Sequence, residues 1–326
     1  MRISSLFSTR TPTPVEVALR RDVEAIATAE GRMYGTPGHA KARAYLVERL
    51  RELELEPIPG GEGPGGFLLP YVVEDTWMCN VMGVVPGRDR SLAPIVIGAH
   101  YDTCGPLPGA DDNAAAIAIA LELAARGKRA PFERDLVIAL FDGEEPPHFH
   151  GESMGSIYWY RHQRRGPVHM ALVLDLVGHD VPIPGRSGLV FVMGMESDPG
   201  LVMADLDIPG LRVQPVLNRY VGDLSDHLIF RRNERPFLFL SCGRWRHYHC
   251  AGDTPDRLNY RKMAAISDLC VEMLQRSASA ELAGPFGQGD SLALELAGIR
   301  RNFGLPLRSR ADIDAFVGMA MSSFGI

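Results

Sequence analysis

The strongest indication of the fold is the stretch Ile95-Val-Ile-Gly-Ala-His100-Tyr-Asp102, with Gly109-Ala-Asp111-Asp112-Asn113 after it. An apolar run typical of a buried strand ends in a histidine. A short loop with proline and glycine then supplies carboxylates, the first of them eleven residues past His100. Open α/β sheets place their functional side chains at the carboxyl ends of the strands. The stretch therefore predicts a metal site at a strand end of an α/β fold.

Three more apolar runs end in the same way, each followed by residues that can bind a metal or carry a proton. Because the carboxyl ends of parallel strands lie along one edge of a sheet, we expect these side chains to converge there with His100. Carboxylates and imidazoles are common zinc ligands. The runs are Leu136–Phe141 before Asp142-Gly143-Glu144-Glu145, Met170–Leu174 before Asp175, and Phe237–Ser241 before Arg246-His247-Tyr248-His249.

Strand and helix signals alternate along the chain to about residue 277. This alternation predicts an α/β fold with a mainly parallel central sheet and helices on both faces. Residues 15–30 and 39–53 have the pattern of amphipathic helices. Residues 114–125 are mostly strong helix formers and are apolar nearly all round, so we expect a buried helix that stops near Gly127.

Length and composition are those of an ordinary globular protein. With 326 residues, 46% of them hydrophobic, the chain is long enough for one substantial domain. We place that domain at residues 12–277 and interpret residues 278–326, with their glycine and proline punctuation, as an extension packed on it. The net charge of −6 gives no electrostatic reason to expect binding to nucleic acid or to an anionic membrane.

The N-terminus and the cysteines bear on the cellular compartment. Residues 1–10 lack the apolar core of a signal peptide, and no run approaches about 18 apolar residues, so we expect a cytoplasmic protein. The five cysteines are an odd number and include no Cys-x-x-Cys spacing. Neither a disulfide framework nor a zinc knuckle is indicated.

Together these motifs resemble the zinc aminopeptidases with co-catalytic metals, of the leucyl or aminoacyl type, which are related to glutaminyl cyclases and glutamate carboxypeptidases. The resemblance implies a zinc-exopeptidase-like α/β fold and covers roughly residues 31–276, with the motifs in the order of the family. The matching segments are Gly35-Thr-Pro-Gly-His39, Asn80-Val-Met-Gly-Val-Val-Pro-Gly87, Gly98-Ala-His-Tyr-Asp102, Pro108-Gly-Ala-Asp-Asp-Asn113, Phe141-Asp-Gly-Glu-Glu145, Leu174-Asp-Leu-Val-Gly178, Ser225-Asp-His227 and Tyr248-His249 with Asp253-Thr254.

The resemblance implies a set of metal ligands in this chain. Asp111 would bridge two zinc ions. His100 and Asp175 would complete one metal site, and Glu145 and His249 would complete the other. His179 and Asp180 compete with Asp175 because they lie close to it in the chain, and His249 is preferred to His247 for its spacing to Asp253.

The resemblance also implies three supporting roles and one backbone feature. Asp102 would orient His100 through the free ring nitrogen, as carboxylates beside metal-bound imidazoles do. Glu144 would act as general base toward a water activated by zinc. Tyr248 would donate a hydrogen bond to the oxyanion, although a packing role is the alternative. A cis peptide would follow the bridging aspartate, at Asp111-Asp112.

Other residues of interest have plainer interpretations. His148 and His150 lie in an insert after Glu145, where a position on the rim or surface is favoured over metal binding. The Ser225-Asp226-His227 segment looks like part of a hydrolytic triad, but the resemblance makes it a helix start that borders the active site.

Three functions remain open at this point. The first is an aminopeptidase with two zinc ions that removes N-terminal residues from peptides or small aminoacyl substrates, because Asp111-Asp112-Asn113 resembles the peptidases. The second is a glutaminyl cyclase with one zinc ion, because the insert after Glu145 resembles the corresponding segment of the cyclases. The third is a non-catalytic interaction protein on the same fold, against which the intact ligands and Glu144 argue.

Overall fold

The computed structural model describes residues 10–324, with side chains as far as Met319. The segment for which we predicted no signal peptide lies almost wholly outside the described residues. Within them, no helix combines the length and the apolar character needed to cross a membrane.

The strands are β1 (Glu56–Pro57), β2 (Leu68–Val73), β3 (Thr76–Val85), β4 (Ile95–His100), β5 (Leu136–Phe141), β6 (Met170–Leu174), β7 (Leu189–Met193), β8 (Arg212–Pro215) and β9 (Phe237–Ser241). The helices are α1 (Pro14–Ile26), α2 (Pro37–Glu52), α3 (Ala115–Arg129), α4 (Gly155–Tyr158), α5 (Leu228–Arg232), α6 (Tyr260–Ser279), α7 (Leu292–Phe303) and α8 (Arg310–Phe324).

The described strands form one mixed sheet in the order β1-β3-β5-β4-β6-β9-β7-β8, with β2 paired to β3. The four central strands, β5, β4, β6 and β9, are parallel. Strand β3 runs antiparallel to β1, β2 and β5, and β7 runs antiparallel to β9. The predicted α/β class is confirmed, and the parallel arrangement is confined to the centre and the β7/β8 pair.

The antiparallel part begins at a tight hairpin that the sequence did not reveal. Glu74 and Asp75 join β2 to β3, and both have positive φ angles, 48° and 65°. Two central residues with positive φ form the turn that matches the twist of a two-residue hairpin, usually with Asn-Gly or Asp-Gly. Glu-Asp is not such a pair, so the sequence contains no signal for the turn between β2 and β3.

Helices cover both faces of the sheet, as predicted. Residues of β4 alternate between two apolar clusters, since successive side chains of a strand point to opposite faces. Ile95 and Ile97 pack with α1, α2, α3 and α6, whereas Val96 packs on the side of α4 and α5. This burial of both faces explains why the central strands are continuous apolar runs.

Helix boundaries follow local signals. Thr13 caps α1 with a capping box that includes Glu16, and Thr36 caps α2 through the amide of His39. The predicted stop at Gly127 is wrong, because α3 continues to Arg129. Gly127 lies where the helix passes close to the sheet: a Cβ there would come within 2.9 Å of Val85 Cγ1.

Candidate metal centre and active site

Polar side chains from four strand ends meet at the carboxyl edge of the central sheet. His100 is the last residue of β4, Glu144 and Glu145 follow β5, and Asp175 follows β6. His249 lies in the loop after β9. The structure thus brings together four of the five predicted ligands, and we call them, with Asp112 and Glu144, the edge cluster.

Asp112 lies between the two imidazoles of the edge cluster. Its Oδ1 is 3.3 Å from His100 Nε2, and its Oδ2 is 3.1 Å from His249 Nε2. Glu145 Oε1 is also 3.1 Å from His249 Nε2, and Asp175 Oδ1 is 3.8 Å from His100 Nε2. Asp112 therefore has one histidine and one further carboxylate on each side. His100 and Asp175 lie on one side, and His249 and Glu145 on the other.

Asp111, the predicted bridge, does not reach the cluster. Its Oδ1 accepts hydrogen bonds from the amides of Gly178 and His179, at 2.6 and 3.0 Å, and its Oδ2 lies 2.7 Å from His179 Nδ1. The non-proline cis peptide is Asp112-Asn113, one position later than expected. The structure therefore places Asp112, and not Asp111, between the two imidazoles.

The loop that carries the two aspartates is held by Asp253. Its carboxylate accepts hydrogen bonds from the amides of Asp111, at 2.8 Å, and Asp112, at 3.1 Å. Gly109 has a φ of 58°, and a Cβ on it would lie 2.3 Å from the carbonyl oxygen of Asp112. These contacts fix which aspartate faces the cluster, and two adjacent identical residues give no sequence signal for that choice.

Asp102 holds two strand ends together. Its carboxylate is 3.5 Å from His100 Nδ1 and accepts hydrogen bonds from the amides of Glu144, at 3.1 Å, and Glu145, at 2.9 Å. Burial alone would raise the pKa of Asp102, but His100 and the two amides keep the pKa below its usual value. Asp102 therefore positions the Glu144-Glu145 pair as well as facing His100.

The edge cluster concentrates negative charge away from water. It holds four buried carboxylates and two imidazoles, with the carboxylate of Asp102 beside them. Burial raises the pKa of Glu144 well above its usual value, and that of Glu145 to about 7. Burial lowers the pKa of His249, but Asp112 and Glu145 outweigh it and raise the pKa to about 10. Buried charges of one sign are stable only with a counter-charge.

The donor set fits a metal ion. Both ring nitrogens of His100 and Oδ1 of Asp175 are buried without a hydrogen-bond partner. Ligand atoms of His100, Asp112 and Asp175 lie within 4.8 Å of one another, as do those of Cys104, Glu145 and His249. Nitrogen and carboxylate oxygen atoms so grouped are the ligands of a zinc site.

Tyr248 lies beside the cluster. Its ring stacks on the imidazole of His249, with 3.8 Å between centroids, and the guanidinium of Arg244 lies 4.9 Å from the centroid of the same ring. Burial and the nearby carboxylates of Asp112 and Asp175 raise the pKa of the phenol, which stays protonated and able to donate a hydrogen bond. The residue lines the same cavity as Glu144.

Arg32 is a supporting residue that sequence reasoning missed. It is fully buried and donates hydrogen bonds to carbonyl oxygens on both sides of the ligand loop, among them Tyr101 at 2.7 Å and Pro108 at 2.7 Å. Burial lowers its pKa to about 10, within the range where the guanidinium is charged at neutral pH. A single arginine in a glycine-rich connection carries no pattern that would have revealed this role.

The alternative candidates lie outside the cluster. His148 Nδ1 contacts Ser153 Oγ at 3.0 Å, and His150 Nε2 contacts the carbonyl of Asp223 at 2.7 Å. His227 Nε2 contacts the carbonyl of Gly222 at 3.1 Å, and its ring stacks on Phe239 rather than forming a triad with Ser225.

The histidines that competed with the predicted ligands are also held elsewhere. His179 is held by Asp111 and stacks on Trp245, with 4.8 Å between ring centroids. His247 accepts a hydrogen bond at Nε2 from the guanidinium of its neighbour Arg246. Neither ring therefore shares the position of Asp175 or His249.

Comparisons with known proteins agree with this fold. The chain is 29% identical over 218 residues to the uncharacterized protein YfbL of Escherichia coli. The aligned residues make up 56% of this chain and 67% of YfbL. Its fold is similar to that of a leucine aminopeptidase precursor from Bacteroides thetaiotaomicron (TM-score 0.61, 17% identity, 82% of this chain and 98% of that one). It is also similar to that of the Fimbriiglobus ruber glutaminyl cyclase (TM-score 0.63, 20% identity, 82% and 97%).

Family membership follows from the sequence match. Residues 80–274, more than half of the chain, match the model of peptidase family M28. The matched range contains all residues of the edge cluster. The chain therefore belongs to peptidase family M28 and is a hydrolase of the metallopeptidase kind.

Proposed function

We propose that the protein is a zinc-dependent aminopeptidase that hydrolyses N-terminal residues from peptides. The observation that carries the proposal is the position of Asp112, whose two oxygens face His100 on one side and His249 on the other. A carboxylate in this position suits a pair of metal ions. His100 and Asp175 would hold one ion, and Glu145 and His249 the other.

Zinc bound at these residues would polarise the scissile carbonyl and make a water molecule a better nucleophile near neutral pH. Glu144 has the position to act as general base. Its carboxylate lines the cavity, and its Oε2 is 3.8 Å from His100 Nε2. The carboxylate would accept a proton from the attacking water and pass it to the leaving amine.

Two further residues support these steps. The hydroxyl of Tyr248 would donate a hydrogen bond to the oxygen that becomes negatively charged as the carbonyl is attacked. Asp102 would hold the backbone amides of Glu144 and Glu145, so that the side chain of the base and the side chain of the ligand point in different directions.

The proposal is tested by metal removal and restoration. The purified protein should hydrolyse aminoacyl amides, lose this activity on exhaustive chelation, and regain it when zinc is added back. Metal loss is verified by elemental analysis. Full activity in a protein shown to be free of metal would overturn the proposal.

A glutaminyl cyclase is the second candidate, favoured by the fold similarity to proteins described as glutaminyl cyclases and by the insert after Glu145. Cyclisation needs only a polarised carbonyl and proton transfer, for which one zinc ion is enough. An aminopeptidase should bind about two zinc ions per chain, and about one in Asp175→Ala. A native protein that binds one zinc ion, cyclises N-terminal glutamine and leaves aminoacyl amides intact would establish the cyclase instead.

A further inference from the structure

A large apolar cavity leads away from the edge cluster. Its volume is about 530 Å³, and its lining begins at Asp112, Glu144 and Asp175. It continues over apolar side chains of the neighbouring strands, such as Phe191 of β7 and Phe239 of β9. The reacting centre and the apolar space are therefore one continuous cavity.

The far side of the cavity is built by the C-terminal segment. Six apolar residues of α7, α8 and their connection face it, and we call them the C-terminal wall. They recur at helical spacing, so one face of each helix is turned to the cavity. None of them lies within the residues that match the family. The wall consists of Ile299, Phe303, Leu305, Ile313, Phe316 and Val317.

Polar contacts hold the wall in place and leave its surface apolar. Glu295 of α7 is fully buried, and its carboxylate accepts hydrogen bonds from Arg310 Nη2, at 2.6 Å, and Ser291 Oγ, at 2.7 Å. Asn302 Nδ2 donates to the carbonyl of Val213 in β8, at 3.1 Å. Because Glu295 is paired with a cation, it does not give the cavity a net charge.

The cavity is too large for one ordinary side chain. An apolar cavity of roughly 150 Å³ holds one benzene ring, so this cavity has more than three times the space that an aromatic side chain needs. An unfilled apolar cavity gives up dispersion contacts, and a ligand that fills it gains them. Part of this space adjoins the edge cluster, where the scissile amide would lie, and the remainder has room for an apolar group larger than leucine or phenylalanine.

The geometry also indicates which part of a substrate enters. In an N-terminal exopeptidase the acyl side of the scissile bond is the end of the chain, whereas the leaving side continues as peptide. The C-terminal wall has room for an end group and offers few polar partners for a continuing peptide backbone.

We propose that the cavity between the edge cluster and the C-terminal wall binds a large apolar group on the acyl side of the scissile amide. The preferred substrate class is an amide whose terminal residue carries a long aliphatic or extended aromatic side chain. This inference rests on the proposed hydrolysis for its catalytic part, whereas the binding of the apolar group does not depend on turnover.

The first test measures binding to the native protein without chemistry. Calorimetric titration with 1-decanol and 1-butanol, which have no scissile bond, should show saturable binding of one decanol per chain and none of butanol at the same concentration. Val317→Trp, which fills the cavity from the wall, should weaken decanol binding by about tenfold or more. Ala315→Trp, on the exposed side of the same helix, is the matched control and should bind as the native protein does.

The second test measures specificity. The native protein should have kcat/KM for 2-aminodecanoyl and biphenylalanyl amides about tenfold or more above that for leucyl amide. The amide with the higher kcat/KM shows whether the preferred terminal side chain is aliphatic or aromatic. Val317→Trp should lower the values for these two amides by a larger factor than that for leucyl amide, whereas Ala315→Trp should leave all three unchanged.

The outcomes separate the inference from the proposed function. Decanol binding that is weakened by Val317→Trp, in a protein without hydrolase activity, would support the cavity and remove the aminopeptidase. Hydrolysis of leucyl amide with no decanol binding and no preference for the large side chains would retain the aminopeptidase and overturn the inference. Titration of the native protein decides between these two outcomes even if Val317→Trp fails to fold.

Discussion

The edge cluster and the C-terminal wall line the same cavity but differ in almost every physical respect. The cluster is a group of buried carboxylates and imidazoles. The backbone around it is fixed by hydrogen bonds that Asp102 and Asp253 accept from amides and that Arg32 donates to carbonyl oxygens. The wall is a set of apolar side chains on two helices and their connection. It is held by the ion pair of the buried Glu295 with the partly exposed Arg310 and by the hydrogen bond from Asn302 to Val213. The cluster is suited to stabilise charge, and the wall is suited to exclude water.

We infer from this difference that chemistry and selectivity reside in separate segments of the chain. The cluster lies within residues 80–274, which match the family, and the wall lies beyond them. Substitutions in the cluster should therefore change turnover or metal content for every substrate. Substitutions in the wall should change the discrimination between substrates and leave the chemical step intact.

The largest expected effect is that of Glu144→Gln. The amide keeps the size of the side chain but removes the general base, so kcat should fall by on the order of 10² to 10⁴ for all substrates while the zinc content stays near normal. Steady-state kinetics and elemental analysis measure the two quantities. Glu74→Gln, at an exposed turn, is the control. A loss of zinc in Glu144→Gln with normal zinc in Glu145→Gln would reverse the assignment of base and ligand.

Next in size is the effect of Arg32→Met on stability. The substitution leaves buried carbonyl oxygens at Tyr101 and Pro108 without their donor, so the free energy of unfolding should fall by about 3 to 5 kcal/mol. Chemical denaturation measures it. Arg165→Met, at an exposed arginine, should change stability by less than about 0.5 kcal/mol. Equal stability of the two variants would show that Arg32 does not support the ligand loop.

A smaller and more local effect is expected for Arg310→Met. It leaves the carboxylate of Glu295 without its cation, and because Arg310 is partly exposed we expect a loss of about 1 to 2 kcal/mol. Hydrogen exchange should become faster in α7 and α8 and stay unchanged in β4. Faster exchange in β4 as well would mean that the wall and the cluster are not separate units.

The smallest effect concerns pH and His227. Burial lowers the pKa of this histidine from 6.5 to about 4, against the opposing effects of the Gly222 carbonyl and Asp223, with Arg231 and His150 also lowering it. The unfolded state therefore binds more protons than the folded state between these values, and stability falls as the pH is lowered through that window.

From pH 7 to pH 5.5 this residue should account for a loss of about 1 kcal/mol in the free energy of unfolding. Denaturation at both pH values measures the loss, and His227→Gln should reduce it by that amount. An unchanged pH dependence in the variant would show that His227 does not hold this low pKa.

The central strands and most of the edge cluster could be predicted from the sequence. β5, β6 and β9 are continuous apolar runs, and His100 and Asp175 stand at or just past the strand ends. Both follow from the burial of a parallel sheet between helices. The choice of Asp112 over Asp111 could not be predicted, because it depends on Asp253, which contacts their loop from more than 140 positions away.

The C-terminal wall was also beyond prediction. The sequence predicts the last helix before residue 278 and an extension beyond it, whereas the structure has α7 and α8 there. Even a recognised helix pattern would not tell which surface the apolar face covers. That surface is partly the sheet edge at β8 and partly the cavity. Long-range contacts of this kind decide both the size of the cavity and the direction in which it opens.

The most direct test of the account is the zinc content of Asp112→Asn beside that of Asp111→Asn, measured by elemental analysis after dialysis against zinc. Asp112 shares its two oxygens between His100 and His249, whereas Asp111 only accepts hydrogen bonds from Gly178 and His179. We predict that Asp112→Asn loses most of its bound zinc and its hydrolase activity, and that Asp111→Asn keeps about the native zinc content. Native zinc in Asp112→Asn, with loss of zinc in a folded Asp111→Asn, would contradict the account.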